Sequence, residues 1–380
     1  MTEQFYHRLE QELDSLREEN LYREVRLFEH SRLNLSSNDY LCLRSHEKVL
    51  AGARRATEEY GAGSGASPLL GGFLPCHRQF LEQLLQWKNK PCGMLFNTGF
   101  LANQAVVKHL PGKHDLVLAD RLIHHSVAQA LRQGSARFKR YNHLDLEHLE
   151  ELLERHKRDY ETLFVVTESV FSMDGDYPDL HKLVAIKRRI PFVLILDEAH
   201  GTGVYGPLGA GLAEEMGVEE DVDILVGTLG KALASAGAYV LARSPRVVEF
   251  LTNFAGEYIY STFLTPGQVG AASAAVKIVR QGKDKRMALR SLAKEFRSKL
   301  AVAGFGSNHY DSPIVPVIVG EAGETIRLRE LLLERGFLTG AVRPPTVPKG
   351  TSRLRISLHS AVKPSHLDEI LAVLKQWKKK

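Results

Sequence analysis

Between about residues 92 and 245 the chain alternates short apolar runs with longer stretches whose apolar residues recur every three or four positions. Candidate strands fall at 93–97, 115–119, 137–141, 163–167, 192–196, 223–227 and 238–242. Amphipathic stretches such as Leu144–Leu153 and Leu180–Lys187 lie between most of them and read as helices. This alternation predicts a largely parallel sheet covered on both faces. Before it, residues 3–25 read as an amphipathic helix packed on the body, with Phe5, Leu9, Leu13 and Leu16 on one side. After it, a long helical stretch runs to about residue 302, followed by strands at 314–319 and 352–358 and helices at 323–335 and 364–377. The resulting organisation is an N-terminal helix and short segment over 1–45, a large α/β domain over 46–270, and a connector helix with a smaller α+β domain over 271–380.

Two of the runs end in chemistry. Phe192–Leu196 stops on Asp197-Glu198-Ala199-His200-Gly201-Thr202-Gly203, and Asp223–Gly227 stops on Thr228-Leu229-Gly230-Lys231. Ligands bind at the carboxyl edge of open α/β sheets, so Asp197, His200, Thr228 and Lys231 are expected to share a crevice. Each alone fits a plainer role: a helix cap, a satisfied loop histidine, a surface lysine. Together they suit pyridoxal phosphate, whose aldehyde needs a lysine and whose ring nitrogen needs a carboxylate. Asp197-Glu198-Ala199-His200 also spells an ATPase box, but that chemistry needs a G-x-x-x-x-G-K-[ST] loop. Gly230-Lys231 follows a strand and is expected to open a helix, yet Leu225 and Ala232 break that motif and it follows the acidic box instead of preceding it.

Other loops add candidates. Asn97-Thr98-Gly99-Phe100 joins a strand to a helix start, where backbone N–H groups and the helix dipole suit a phosphate. Asp120 to Ser126 brings His124, a flat ring able to stack on a flat cofactor, with His125 beside it. Thr167 to Asp176 is a polar loop after another strand and carries Ser172. The glycine-rich Tyr60–Gly72 follows a helical pattern, so it lacks the context of a dinucleotide fingerprint and reads as a loop making a close backbone approach. Val342-Arg343-Pro344-Pro345-Thr346-Val347-Pro348 is stiffened by proline, and an arginine held there suits a carboxylate.

Composition narrows the field. With 44% hydrophobic and 25% charged residues in 380, the chain has globular composition and length for more than one lobe. No apolar run approaches the ~18 residues of a membrane span, and the first residues lack the apolar core of a signal peptide. Three cysteines, Cys42, Cys76 and Cys92, form no C-x-x-C and read as reduced thiols in a cytoplasmic protein. A net charge of +5 suits an anionic substrate and gives no case for nucleic acid. Nothing calls for a metal.

These segments taken in order, from Asn38-Asp39-Tyr40-Leu41 to Arg353-Leu354-Arg355, resemble the α-oxoamine synthases, a family of fold-type-I pyridoxal-phosphate enzymes. The resemblance implies the α/β fold type I of PLP-dependent transferases: a largely parallel seven-stranded sheet in a large domain, with a smaller α+β C-terminal domain. It implies that Lys231 holds the cofactor as a Schiff base and then serves as acid and base. It implies that Asp197 pairs with the ring nitrogen, His200 bonds the phenolic oxygen and His124 stacks on the ring. Gly99, Phe100 and Thr228 are implied at the phosphate, Ser172 near the ring, and Ser261 and Thr262 at the phosphate of a second subunit in a homodimer. Arg343 is implied at the amino-acid carboxylate, with Arg23 and Thr346 at the acyl donor. Within the family, Arg343-Pro344-Pro345-Thr346-Val347-Pro348 points to the acyltransferase of the biotin pathway, which joins L-alanine to pimeloyl-CoA or pimeloyl-acyl carrier protein. A sister reaction such as glycine with acetyl-CoA, and more remotely an aminotransferase or a non-catalytic module, are the competing readings. One departure is Cys42, where the family usually has glycine.

Overall fold

The computed structural model describes residues 2–28, 33–306 and 308–378. It divides into two compact units. The large one comprises Asn38–Ser172 and Asp176–Ala288; the small one comprises Met1–Ser37, Met173–Gly175 and Leu289–Lys380.

The large unit is built on a seven-stranded sheet. Its strands are β1 (Cys92–Phe96), β2 (Leu116–Asp120), β3 (Arg137–Tyr141), β4 (Leu163–Glu168), β5 (Val193–Asp197), β6 (Ile224–Thr228) and β7 (Ala238–Ala242). All seven lie within a residue or so of the strands expected from sequence. The spatial order is β1-β7-β6-β5-β4-β2-β3. Six strands run in one direction, five of them paired in parallel, and β7 runs antiparallel to both of its neighbours, β1 and β6. Helices Gln-terminated His125–Gln133, Leu146–His156 and Leu180–Arg189 make the crossovers between parallel strands, as parallel pairing requires. Strands β2, β4 and β7 are buried throughout. Each fully buried leucine, valine or isoleucine on them contributes roughly 1.5–3 kcal/mol. Edge strand β3 instead exposes Arg137, Lys139 and Arg140, charges that discourage pairing with another chain.

Because β7 reverses, the carboxyl end of β1 lies at the same sheet edge as the carboxyl ends of β5 and β6: Phe96 and Thr228 both pair with Ala238. That edge collects the loops singled out from sequence. Between β6 and β7 no helix opens at Gly230-Lys231, contrary to expectation. Residues 229–237 close on themselves through Leu229 N–H to Gly237 O (2.8 Å) and Ser235 N–H to Leu229 O (2.9 Å). An antiparallel partner can be reached by a tight loop, so no crossover helix is needed. The close approach expected of the glycine-rich loop is found at Gly72, where a Cβ would stand 2.0 Å from Ala66 O.

In the small unit, Gly340–Val342, Ser352–Ser357 and Ile314–Gly320 form an antiparallel sheet in that order. Helices Ala322–Glu334 and Pro364–Lys378 belong to the same unit. Leu33–Asn34 pairs in parallel with Phe337–Leu338, which ties the N-terminal segment to this unit. Helix Thr2–Glu18 is shorter than the 3–25 expected and has no buried residue. It ends where Leu21 N–H turns back to Leu16 O (2.7 Å) and Asn20 takes φ 57°, a left-handed geometry that asparagine tolerates. The expected packing of its apolar side on the body is not seen: Phe5 is 48% exposed and Leu13 41%. The long helix after Pro266 is also two helices, Pro266–Gln281 and Lys283–Val302, broken at Gly282.

Candidate active site

A cavity of about 200 Å³ opens at the carboxyl edge of the large-unit sheet, lined by Gly99, Phe100, His124, Glu168, Asp197, His200, Thr228 and Lys231, with Asn103 among the others. This is below the ~300–1,000 Å³ of pockets for drug-sized ligands and suits one compact ring. Lys231 Nζ lies 2.8 Å from His200 Nε2. The other nitrogen of that ring, Nδ1, lies 2.7 Å from the hydroxyl of the fully buried Tyr40. Amine, imidazole and phenol thus form one chain, with the phenol fixing the ring's orientation.

Asp197 is 5% exposed, so its charge needs partners. Oδ2 accepts from Asn103 Nδ2 (2.8 Å), and Oδ1 accepts from Ala199 N–H (2.8 Å). Asn103 reaches it from one helical turn past Gly99, and its amide also donates to Ser126 Oγ (3.1 Å). The neighbouring Glu198 has a separate set of partners. It accepts from Lys88 Nζ (3.2 Å) and Ala213 N–H (2.8 Å), both acid and lysine side chains being 1% exposed. Lys88 also donates to Thr202 Oγ1 (2.7 Å). This buried pair holds the turn after β5, and the acid that a nucleotide-hydrolysing box would offer its ligand is spent on it.

Glu168 stands beside Asp197 in register on β4. Burial, and then the charge of Asp197, push its carboxyl well above the usual range. One of its oxygens accepts the backbone N–H of His124 (2.7 Å), and His124 Nδ1 lies 2.7 Å from Ser126 Oγ. His124 keeps exposed surface, yet it is desolvated by the protein around it. That desolvation lowers its pKa, favouring a neutral, flat face.

Helix Gly99–His109 begins at the cavity, with Thr98 capping Leu101 N–H (3.2 Å). Its first N–H groups, those of Gly99 and Phe100, precede the intrahelical ladder and suit an anion. A Cβ on Gly99 would stand 3.8 Å from Thr228 Cβ, so the helix start and the end of β6 meet. An amine, a pinned carboxylate, a flat imidazole and a helix N-terminus fit pyridoxal phosphate in donor set and size.

Ser172, Ser261 and Thr262 lie outside this lining. Ser261 Oγ donates to Glu257 O (2.9 Å), and Thr262 O accepts from Asn97 Nδ2 (2.6 Å). Arg23, Arg343 and Thr346 belong to the small unit, where the structure brings them together. Arg23 Nη2 donates to Thr346 Oγ1 (3.4 Å) and Pro344 O (3.5 Å). Arg343 donates to Asn20 O and to Tyr22 O (3.3 Å). Burial, and then Arg329 and Arg23, lower the Arg343 pKa; three cations so close attract an anion.

Sequence reasoning missed Tyr40, Asn103 and Glu168. Asn103 had a usable signal, its position one turn beyond the Thr98-Gly99 helix start. Tyr40 had none, being 160 positions from His200.

Residues 31–374 match the model of the family described as aminotransferase class I and II. Over 376 residues the chain is 42% identical to an 8-amino-7-oxononanoate synthase from Geobacter sulfurreducens, covering 96% of each. It also resembles the crystal structure of 8-amino-7-oxononanoate synthase from Francisella tularensis, with TM-score 0.81 and 30% identity over 92% of this chain and 99% of that one. A serine palmitoyltransferase from S. paucimobilis with bound PLP-myriocin gives TM-score 0.86 and 28% identity over 92% and 87%.

Proposed function

The chain belongs to the aminotransferase class I and II family, and from that premise we propose that it condenses L-alanine with a pimeloyl thioester. The products are 8-amino-7-oxononanoate, carbon dioxide and free thiol, a step of biotin synthesis. The observation that carries this reading is the convergence of Lys231, Asp197, His200 and His124 on one small cavity. Relatives of that activity, matched along nearly the whole chain, support it.

Pyridoxal phosphate, when bound, supplies an aldehyde for Schiff-base chemistry and a ring that absorbs carbanion charge. Lys231 provides the amine and, once released, takes the α-proton of alanine, with His200 at 2.8 Å to steady it. Asp197, held by Asn103 and the Ala199 N–H, keeps the ring nitrogen protonated. His124 offers its face to the ring; Gly99, Phe100 and Thr228 hold the phosphate. Ser172 serves the ring, and Ser261 and Thr262 reach the phosphate of a second subunit. Arg343 takes the alanine carboxylate, and Arg23 and Thr346 take the acyl donor. The deprotonated α-carbon forms a bond to the thioester carbonyl and the thiolate leaves. Carbon dioxide then departs and the α-carbon takes back a proton from Lys231.

The donor is the CoA or the carrier-protein thioester, and the working form is a cytoplasmic homodimer. Among the described residues no helix is long and apolar enough to cross a membrane. Support for the dimer comes from two exposed apolar side chains, Leu70 (81%) in the turn Pro68–Leu70 and Tyr260 (86%) at the end of helix Gly256–Ile259, two elements that touch in the large unit. A serine-using sister reaction is the second reading, favoured by the higher TM-score of the palmitoyltransferase likeness. Thiol release separates them. We expect it from L-alanine with pimeloyl-CoA; release only from serine with a long acyl-CoA, or from glycine with acetyl-CoA, overturns the substrate assignment.

A further inference from the structure

Two carboxylates at the cavity edge of the large unit meet on a histidine that the proposed chemistry does not use. His143, just past β3, has Nδ1 2.8 Å from Asp120 Oδ1 and Nε2 3.1 Å from Asp176 Oδ2. Asp120 ends β2 and opens the loop to His124; Asp176 closes the loop after β4 that carries Ser172. A ring with a carboxylate at each nitrogen donates from both, which only the imidazolium can do.

Each partner also holds its own loop. Asp120 is fully buried and accepts Leu122 N–H (2.8 Å) on the way to His124. Its other oxygen accepts Leu144 N–H (3.0 Å). Asp176 O accepts Phe171 N–H (2.9 Å), and the His143 ring meets Phe171 edge-on at 4.5 Å and 89°. Leu144 has φ 56°, a left-handed conformation that a leucine adopts only where its surroundings dictate it. The corner is strained and over-determined, as positioning elements at functional sites are.

We propose that His143 is a positioning residue that ties the loops after β2, β3 and β4 into one frame, setting His124 and the Ser172 loop against the bound cofactor. The proposal rests on the cofactor reading above. Burial opposes the imidazolium, but the hydrogen bonds and charges of Asp120 and Asp176 outweigh it and push His143 up to about 10. The frame is therefore closed at neutral pH.

The test compares wild type, His143→Gln, and His143→Gln with Asp176→Asn; the double variant removes one carboxylate that glutamine leaves without its cation. Measured are the thermal midpoint without cofactor, which reports folding, PLP affinity by fluorescence quenching, the visible circular dichroism of the bound cofactor, and kcat and KM for alanine. The expected result is a folded double variant whose visible circular dichroism differs from wild type. Its kcat should fall about 10²-fold, the cost of a misplacement of about 1 Å, while KM for alanine stays nearly constant. A folded double variant with wild-type visible circular dichroism and kcat overturns the proposal. The circular dichroism comparison needs no acyl substrate, so a wrong choice of acyl donor would show as missing thiol release in wild type and leave this test standing.

Discussion

The amine, carboxylate and imidazoles of the large unit are held by buried partners, whereas the arginines of the small unit lean on carbonyl oxygens near the surface. Asp197 is 5% exposed and receives two hydrogen bonds from groups fixed in a helix and a turn. Arg23 is exposed, with donor distances of 3.4 and 3.5 Å to Thr346 and Pro344. Pre-organised groups act on charge that develops during reaction, at no reorganisation cost. Loosely held arginines can exchange a carbonyl for a carboxylate, a stronger and bidentate acceptor. The first region should therefore govern the rate of proton removal, and the second the capture of substrates.

Substitutions can break this division, in decreasing order of effect. Lys231→Ala removes both the cofactor's anchor and the base. Turnover should fall by at least ~10⁴-fold, and the visible absorption of bound cofactor should be lost. Asp197→Asn keeps the shape and removes the charge. Exchange of the alanine α-proton in deuterium oxide, followed by NMR, should slow by roughly 10²–10⁴-fold, with little change in thermal midpoint. Arg343→Ala should raise KM for alanine about 10–100-fold, the worth of a charged hydrogen bond of ~1.5–3 kcal/mol. Arg23→Ala should raise KM for the acyl donor similarly and leave α-proton exchange untouched. If Arg23→Ala slows that exchange as much as Asp197→Asn does, the division is wrong.

How much of this was legible follows the same contrast. Most of the strands could be read because they are short continuous apolar runs, the exposed and charged edge strand β3 being the exception, and Asp197 and Thr228 stand directly at the ends of two of them. Lys231 was legible as chemistry, although the helix expected after it is a closed loop. The partners that orient these groups were not legible: Tyr40 and Asn103 reach His200 and Asp197 across 160 and 94 positions. Strands of two or three residues, such as Leu33–Asn34 and Gly340–Val342, are too short to show a period. The N-terminal helix ends sooner than its sequence pattern suggests because polar residues continue past Glu18, and the turn at Asn20 leaves no periodic mark.

Two smaller effects sharpen the picture. Glu168 has a folded pKa raised by burial and then by Asp197. Above its unfolded pKa of ~4.3, the folded state then holds more protons than the unfolded one, so stability contributed by this group falls as pH rises. Glu168→Gln should therefore raise the cofactor-free thermal midpoint at pH 8, with the gain shrinking toward pH 4.5. A gain that grows in acid would contradict the assignment. Cys42 sits at φ 55°, in the left-handed region. A left-handed non-glycine residue costs ~1–2 kcal/mol, partly offset by the entropy that glycine loses on folding. Cys42→Gly should thus stabilise by roughly 0.5–1 kcal/mol in urea unfolding, with no change in slope.

The most direct measurement is the fate of the carboxyl carbon of L-alanine. With carboxyl-labelled alanine, pimeloyl-CoA and PLP-loaded protein, the account predicts one labelled carbon dioxide per free thiol, and neither with Lys231→Ala. Label retained in a keto acid, with no thiol released, would show an aminotransferase and contradict the decarboxylative condensation proposed for this chain.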